Sequence, residues 1–183
     1  MGSASDIAQT TRHRYTTTPR TLIFVTHGDD VLLVRGAPHK GWWAGRLNGV
    51  GGHIERDEDV LTSARRELHE ETGLSGVEGV RLAAIVNAAL GDGPNGLLLF
   101  VFTARATSRD VVASDEGTLE WIPCADLDAH PVIPDLRVLL PRILALPPHA
   151  PPLFGHYWIN EGGMLTVQFA GEWPAQMEFP TVS

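Results

Sequence analysis

Three glutamates in the middle of the chain have the spacing of residues that share one face of a helix. Glu67, Glu70 and Glu71 stand at i, i+3 and i+4, which brings their side chains close together on a helix. Mg²⁺ prefers oxygen ligands and binds a few carboxylates while keeping water and substrate phosphate oxygens in its shell. Such a cation neutralises phosphate charge and activates water. The three glutamates therefore indicate metal-dependent hydrolysis of a phosphate compound.

A second interpretation of these glutamates stays open at this stage. Carboxylates on an exposed helix repel one another by only a few tenths of a kcal/mol per pair, so a solvated acidic face would tolerate them. Two neighbouring features favour a site. Residues 41–52 contain five glycines, which allow backbone groups to approach a ligand closely. Arg66 adjoins the glutamates as an ion-pair partner that can orient a carboxylate.

The sequence around the glutamates predicts the helix that must position them. Apolar residues recur at spacings of three and four from Val60 to Leu68, so one face can pack while the other stays polar. Acidic residues at 57–59 suit the first turn, and Gly73 stands where a C′ glycine ends a helix. We therefore predict an amphipathic helix over residues 59–72.

Short β-prone runs predict strands on both sides of this helix. Turn residues at 27–30 join the first two runs in a hairpin, and 161–163 join the last two. Pro141 interrupts a second predicted helix and can kink or shorten it. Together these elements predict a mixed α/β (α+β) domain with a sheet held between helices. The predicted strands are 21–26, 31–35, 81–88, 97–104, 118–122, 153–160 and 164–170, and the second helix is 135–146.

Composition and length predict one folded domain over residues 20–171. The chain has 183 residues and 43% hydrophobic content, which suffices for a core. Residues 1–19 are polar and Ser/Thr-rich, and we expect them to form a flexible tail, with 172–183 as a C-terminal tail. The single cysteine, Cys124, excludes an internal disulfide framework, and the sequence has no apolar run long enough for a membrane helix. These features predict a cytoplasmic protein.

The net charge of the chain indicates which classes of partner it can bind. Asp and Glu number 22 against 14 Lys and Arg, a formal net charge of −8 that repels a polyanion over a broad face. We therefore expect a small-molecule nucleotide as partner, with no nucleic-acid polymer and no membrane. Bound divalent cations invert the local field, so an acidic protein can still bind a phosphorylated substrate. A monomer and a homodimer are both open.

Residues 52–74 resemble the signature of the Nudix hydrolase family. They read G-x5-E-x7-R-E-L-x-E-E-x-G-L and match the family's G-x5-E-x7-R-E-U-x-E-E-x-G-U, where U is aliphatic, at all nine specified positions over 23 residues. The resemblance implies an α/β/α sandwich with a mixed sheet and a catalytic loop-helix-loop that uses Mg²⁺ or Mn²⁺. It implies that Glu67, Glu70, Glu71 and the carbonyl of Gly51 or Gly52 bind metal, that Arg66 orients a glutamate, and that Glu58 supports the site.

Outside this signature, Ser114-Asp115-Glu116 resembles a further acidic position of the family. The resemblance implies that Glu116 binds metal or activates the attacking water, and Glu70 is the other candidate for the water. An exposed loop carboxylate remains the alternative for Glu116, because Gly117 follows it.

The run GWWAGRLNGVGGHIE resembles the loop of MutT-like hydrolases of oxidised purine nucleoside triphosphates, which typically read G-x-G-R-W-N-G-F-G-G-K. The resemblance implies that Asn48 reads the purine and that Trp42 lines the base pocket. An amide offers a donor and an acceptor to a base, and an indole offers a stacking surface. Asn-Gly is also a common turn pair, and Trp42 can instead cover the core, so both alternatives stay open.

Two C-terminal segments extend this resemblance. Val132-Ile133-Pro134-Asp135-Leu136 aligns with a W-P-D-D stretch whose acidic residues bind the oxidised base, and FGHY at 154–157 is similar to an F-H-G-Y hairpin. Asp135 is thereby a candidate purine reader, although an aspartate after proline is also an ordinary helix N-cap. Leu47, Ile133 and Leu136 replace two tryptophans and the second aspartate of the pattern, so the base pocket has been rebuilt.

These patterns predict hydrolysis of a (deoxy)nucleoside triphosphate, preferably 8-oxo-dGTP or a related purine nucleotide, to the monophosphate and pyrophosphate. One alternative keeps the chemistry and changes the substrate to a nucleotide sugar or a dinucleoside polyphosphate. Another is a Nudix-fold binding module without catalysis, which the presence of every glutamate of the signature disfavours.

Overall fold

A curled mixed sheet forms the framework of the molecule. The computed structural model describes residues 14–91, 93–112, 115 and 117–178, and within them nine strands form one sheet in the order β3-β2-β1-β5-β4-β7-β8-β9, with β6 also paired to β2. The pairs β1·β5 and β4·β7 are parallel and the others are antiparallel. The strands are β1 (Thr16–His27), β2 (Asp30–Gly36), β3 (Leu47–Asn48), β4 (Val77–Ala89), β5 (Asn95–Ala106), β6 (Gly117–Pro123), β7 (Leu153–Ile159), β8 (Met164–Phe169) and β9 (Ala175–Glu178).

Two α-helices cover opposite faces of this sheet. They are α1 (Val60–Thr72) and α2 (Leu136–Leu144), and two 3₁₀ helices span Gly41–Trp43 and Cys124–Ala129. Successive side chains of β1 point to opposite faces: Ile23 packs in a core with Leu68 of α1, and Phe24 packs in a core with Leu139 of α2. The structure therefore confirms the predicted α+β class with the sheet between helices. Within the described residues, neither helix has the length and apolar content needed to span a membrane.

Helix α1 ends at the predicted residue and begins one residue later than predicted, so that Asp59 lies before its first turn. Asp59 is its N-cap, and one carboxylate oxygen accepts hydrogen bonds from the N–H groups of Leu61 and Thr62 at 2.9 and 3.1 Å. Gly73 ends the helix in the left-handed conformation with φ +67°, and its N–H donates to the carbonyl of His69. The glutamates thus lie on a helix that is closed at each end by local interactions.

The first hairpin opens to admit the glycine-rich loop. β1 pairs with β2 at Val25–Leu32 and through the turn, and beyond this point the loop after β3 lies beside β1. The N–H of Ile23 donates to the carbonyl of Val50 at 2.7 Å, and that of Thr21 donates to the carbonyl of Gly52 at 2.9 Å. The loop that precedes α1 is therefore held to the sheet by backbone hydrogen bonds.

Regular structure extends beyond the predicted domain limits of 20 and 171. Residues 16–20 of β1 pair in parallel with 95–99 of β5, and β9 pairs with 164–167 of β8. The strands therefore enter segments that we expected to be tails. Their backbone groups find partners on strands far away in sequence, so local composition did not reveal this order.

Helix α2 is shorter than the predicted 135–146. Arg81 of β4 donates hydrogen bonds to the carbonyls of Ile143, Leu146 and Pro147 at 3.4, 2.9 and 2.9 Å. These bonds satisfy carbonyls at the C-terminal end, where the intrahelical bonds run out. Pro141 lies inside the helix without ending it.

Candidate active site

Two glycines bring the loop backbone against carboxylates of α1. The N–H of Gly51 donates to Glu71 Oε2 at 3.3 Å. A Cβ on Gly52 would collide with the carboxylate of Glu67, and a Cβ on Gly51 would collide with the carbonyl of Thr21. Glycine alone permits this approach, so residues 51–52 allow two glutamates to lie against the loop.

Arg66 connects three of the predicted site glutamates. Its guanidinium forms a bidentate pair with Glu58, at 2.6 Å from Nη2 to Oε1 and 3.1 Å from Nε to Oε2. Nη1 donates to Glu67 Oε1 and to Glu70 Oε2, each at 3.0 Å. Nη2 also donates to the carbonyl of His53 at 3.1 Å. Arg66 thereby fixes two glutamates of α1 relative to the loop.

Arg66 keeps the carboxyl group of Glu58 ionised. The hydrogen bond from Arg66, together with one from the N–H of Glu55, lowers the pKa of Glu58 from 4.5 to about 2. The hydrogen bonds of Arg66 to Glu58, Glu67 and Glu70 raise the pKa of its guanidinium. Glu58 is therefore an anion at every pH at which the protein would work. Its ion pair with Arg66 persists over the same range.

The three glutamates share one face of α1, but their carboxylates do not gather at one point. Glu67 and Glu71 lie against the loop, while the Glu70 side chain is 57% exposed and points to Arg66. No group of three or more acidic, histidine or cysteine side chains is arranged around a metal position in the described parts of the chain. Glu116, the other predicted ligand, lies outside the described residues.

The donor set nevertheless fits a hard divalent cation. Mg²⁺ commonly binds one or two carboxylates plus water and substrate phosphate oxygens, so it does not need a complete protein cage. Glu71 is 8% exposed and the Glu67 side chain is 13% exposed, so two carboxylates are removed from bulk water on the same side of α1. A cation there would offset this negative charge.

A cavity of about 600 Å³ extends from this junction across the face of the sheet that carries α2. Gly51 and Glu71 line it, and so do the three predicted base-pocket residues, Asn48, Trp42 and Asp135. Its wall also includes residues of β1, β5, β4, β7 and β8. These are Leu22, Leu97, Leu99, Ala88, Tyr157 and Leu165.

Asn48 serves the loop and faces the cavity at once. Its Oδ1 accepts a hydrogen bond from the N–H of Gly49 at 2.7 Å, which fixes the carboxamide. This bond occupies one of the two lone pairs of Oδ1, so Asn48 can offer a ligand its Nδ2 donor group and the second lone pair. Trp42 lines the same cavity and packs against the core on the α2 side. The turn hydrogen bond of Asn48 and the core packing of Trp42 are therefore observed, and both residues also line the cavity, while their roles toward a base stay predictions.

Asp135 precedes α2 without capping it. Its backbone is helical, with φ −64° and ψ −23°, and its side chain forms no capping hydrogen bond. The carboxyl group lines the cavity, and burial raises its pKa from 3.8 to about 6. The structure thus gives no support to the N-cap alternative.

Leu47, Ile133 and Leu136, which replace the two tryptophans and the second aspartate of the family pattern, pack in the core. Contacts among them bring Asn48 and Asp135 to one cavity. Leu47 and Leu136 are fully buried, and Ile133 is 6% exposed. The N–H of Ile133 donates to the carbonyl of Leu47 at 3.0 Å, and Leu47 bridges to Val132. This contact places the segment before α2 against β3, so that Asn48 and Asp135 face one cavity.

Two hydroxyl-bearing residues of the cavity were not assigned to the site from the sequence. Thr21 and Tyr157 line it, and in the described part of the chain neither hydroxyl has a hydrogen-bond partner. The FGHY segment at 154–157 was the available signal for Tyr157, but it gave no role to the hydroxyl. Thr21 lay in a run whose only visible property was its strand propensity.

Comparisons with known proteins agree with this architecture. A profile of the Nudix domain matches residues 16–143. The chain is 33% identical over 112 residues to an oxidized purine nucleoside triphosphate hydrolase of Mus musculus, covering 58% of this chain and 70% of the relative. It is 32% identical over 114 residues to the uncharacterized Nudix hydrolase YvcI of Bacillus subtilis, covering 60% and 69%. Among solved structures, the MutT protein of Bacillus halodurans has a TM-score of 0.64 and 25% identity, covering 85% of this chain and 99% of that one.

Proposed function

We propose that this chain, which belongs to the Nudix hydrolase family, hydrolyses a purine (deoxy)nucleoside triphosphate, preferably 8-oxo-dGTP, to the monophosphate and pyrophosphate with a divalent cation. The observation that carries this proposal is the single cavity shared by Gly51, Glu71, Asn48 and Asp135. Its volume of about 600 Å³ lies within the usual range for small-molecule sites. The identity with the mouse enzyme supports the same substrate class.

The carboxylates of α1 are the proposed cation ligands. Glu67, Glu70 and Glu71 bind Mg²⁺ or Mn²⁺ together with phosphate oxygens of the substrate. The Gly52 carbonyl already accepts a hydrogen bond from Thr21, so the Gly51 carbonyl is the proposed backbone ligand. When bound, the cation neutralises phosphate charge and lowers the pKa of a coordinated water.

The remaining residues of the signature orient these ligands. Arg66 holds Glu67 and Glu70 through Nη1, and Glu58 fixes the opposite edge of the guanidinium. Glu70 is largely exposed and can take a proton from the attacking water, and Glu116 is the other candidate for this step.

The far part of the cavity accepts the base. Trp42 offers a stacking surface, Asn48 offers its Nδ2 donor, and Asp135 offers a carboxyl group that donates when protonated and accepts when ionised. The apolar residues around them exclude water, which strengthens each polar contact. This arrangement favours a flat, polar-edged base over a sugar in this part of the cavity.

A substrate panel tests the proposal. We expect kcat/KM with Mg²⁺ to be highest for 8-oxo-dGTP, and at least about tenfold above dGTP, which corresponds to about 1.4 kcal/mol of differential transition-state binding. The comparison includes the other nucleoside triphosphates, nucleotide sugars and dinucleoside polyphosphates. A preference for either of the last two classes would keep the family chemistry and refute the proposed substrate. Absence of hydrolysis across the panel would favour a binding module.

A further inference from the structure

Tyr157 lines a largely apolar part of the cavity and carries a buried hydroxyl group. The residue is 2% exposed, and among the described residues none hydrogen-bonds its hydroxyl. The ring packs edge-on against Phe169, with centroids 6.1 Å apart and an interplanar angle of 86°. A phenylalanine would supply the same ring packing, so core packing does not account for the hydroxyl. A buried hydroxyl without a partner is costly, and such groups usually find one.

The strand order places Tyr157 away from the carboxylates of α1. Thr21, which contacts the loop at Gly52, lies on β1, and β5 and β4 separate β1 from β7. Neighbouring strands are about 4.8 Å apart, so Tyr157 lies roughly 14 Å across the sheet from β1. The purine ring of a nucleotide whose phosphates lie at Glu71 would reach this region.

Asp135 and Arg142 are charged groups near Tyr157. Burial raises the pKa of Tyr157, the carboxylate of Asp135 raises it further, and the guanidinium of Arg142 lowers it. Asp135 and Tyr157 line one cavity, and Leu136 beside Asp135 is fully buried in the core. A ligand in the cavity therefore has both an aspartate and a tyrosine in its wall.

We propose that Tyr157 is a specificity-determining residue whose hydroxyl hydrogen-bonds an exocyclic polar group of the purine beside Asp135. This inference rests on the proposed function, because it requires a purine in the cavity. Binding supplies the partner that the hydroxyl lacks. A base without the exocyclic group leaves the hydroxyl unpaired, and sites built around such bonds discriminate strongly against analogues that lack them.

The substitution Tyr157→Phe tests the proposal by removing the hydroxyl alone. We compare kcat/KM for 8-oxo-dGTP with that for the deoxynucleoside triphosphate of unsubstituted purine, which has no exocyclic groups. The ratio should fall about tenfold in the variant, mainly through loss of activity on 8-oxo-dGTP. The melting temperature of the free protein should stay equal or rise, since an unpaired buried hydroxyl has been removed.

Thr166→Val is the matched control. Thr166 on β8 is 1% exposed, and within the described residues its hydroxyl has no partner either, but it does not line the cavity. We expect this variant to keep the wild-type substrate ratio. An unchanged ratio in Tyr157→Phe, or an equal loss on both substrates, would overturn the proposal.

Tyrosine NMR provides a second readout in the unmodified protein. The chain has only two tyrosines, and the hydroxyl of the other, Tyr15, donates to Asn87 Oδ1 at 2.8 Å. With ¹³Cζ-labelled tyrosine and Tyr15→Phe for assignment, the Tyr157 resonance should move on saturation with 8-oxo-dGMP and much less with the unsubstituted purine monophosphate. Equal shifts would contradict the proposal. Failure of the proposed function is distinct: the wild type would then not prefer purine triphosphates at all.

Discussion

Arg66 holds two glutamates of α1 through a single nitrogen, since Nη1 donates to both Glu67 Oε1 and Glu70 Oε2. The spacing of Glu67, Glu70 and Glu71 correctly predicted that they share a helix face. It did not predict that Arg66 would bind two of them through one nitrogen while Glu71 turns to the N–H of Gly51. Spacing fixes the direction of each Cα–Cβ bond, whereas rotamers depend on partners that only the folded loop supplies.

Asp135 provides a residue-scale prediction about pH. Its carboxyl group has a folded pKa of about 6, above the ordinary value of 3.8, so the folded state binds more protons between these values. The contribution of Asp135 to the free energy of unfolding should therefore be most favourable below about pH 4, and it should be lost as the pH rises through 6. Asp135→Asn should remove this loss and stabilise the protein at pH 7 by at most about 3 kcal/mol.

Urea denaturation at several pH values measures this effect. Asp126→Asn is the control, because Asp126 is exposed on the 3₁₀ helix Cys124–Ala129. The free energy of unfolding of the Asp126→Asn variant should depend on pH in the same way as that of the wild type. If Asp135→Asn also followed the wild type between pH 4 and 7, the pKa of this carboxyl group would not be raised in the folded protein.

At the element scale, local signals predicted those features that local interactions stabilise. The end of α1 was correct and its start was within one residue, because Asp59 and Gly73 act within one turn of the helix. The end of α2 was wrong by two residues because Arg81, far away in sequence, satisfies its carbonyls. The short strand β3 was also missed, since two residues carry no periodicity and pair with β2 only after folding.

Asp59 should stabilise the N-terminus of α1 through its side-chain hydrogen bonds. Asp59→Ala removes hydrogen bonds to two backbone N–H groups and to the hydroxyl of Thr62. We expect a loss of about 1 kcal/mol in the free energy of unfolding, measured by chemical denaturation. Asp57→Ala, an exposed change just before the helix, should cost less than about 0.5 kcal/mol. Equal effects of the two substitutions would show that the cap does not stabilise the helix.

At the scale of the whole molecule, the candidate active site depends on the order of the strands. The sequence resemblance implied that residues 42, 48 and 135 share a pocket, but composition and periodicity alone could not have joined them. The structure joins them through the contact between Leu47 and Ile133 and through the splitting of the first hairpin. Tyr157 enters the same cavity only because β7 pairs in parallel with β4.

We propose that α1 carboxylates and a divalent cation hydrolyse a purine triphosphate bound in this cavity. Glu71→Gln removes a charge at nearly constant shape, so the fold should persist while turnover falls at least about a hundredfold, corresponding to several kcal/mol of lost stabilisation. Glu78→Gln, the same change at an exposed position of β4, is the control and should keep wild-type activity.

The most direct measurement is the product-resolved hydrolysis of 8-oxo-dGTP by the wild type and these two variants, with and without Mg²⁺. We predict 8-oxo-dGMP and pyrophosphate in equal amounts from the wild type and Glu78→Gln, only when Mg²⁺ is present, and almost none from Glu71→Gln. Full activity of Glu71→Gln with Mg²⁺ would contradict the assignment of Glu71 as a metal ligand. Release of the diphosphate and phosphate instead would contradict the proposed reaction.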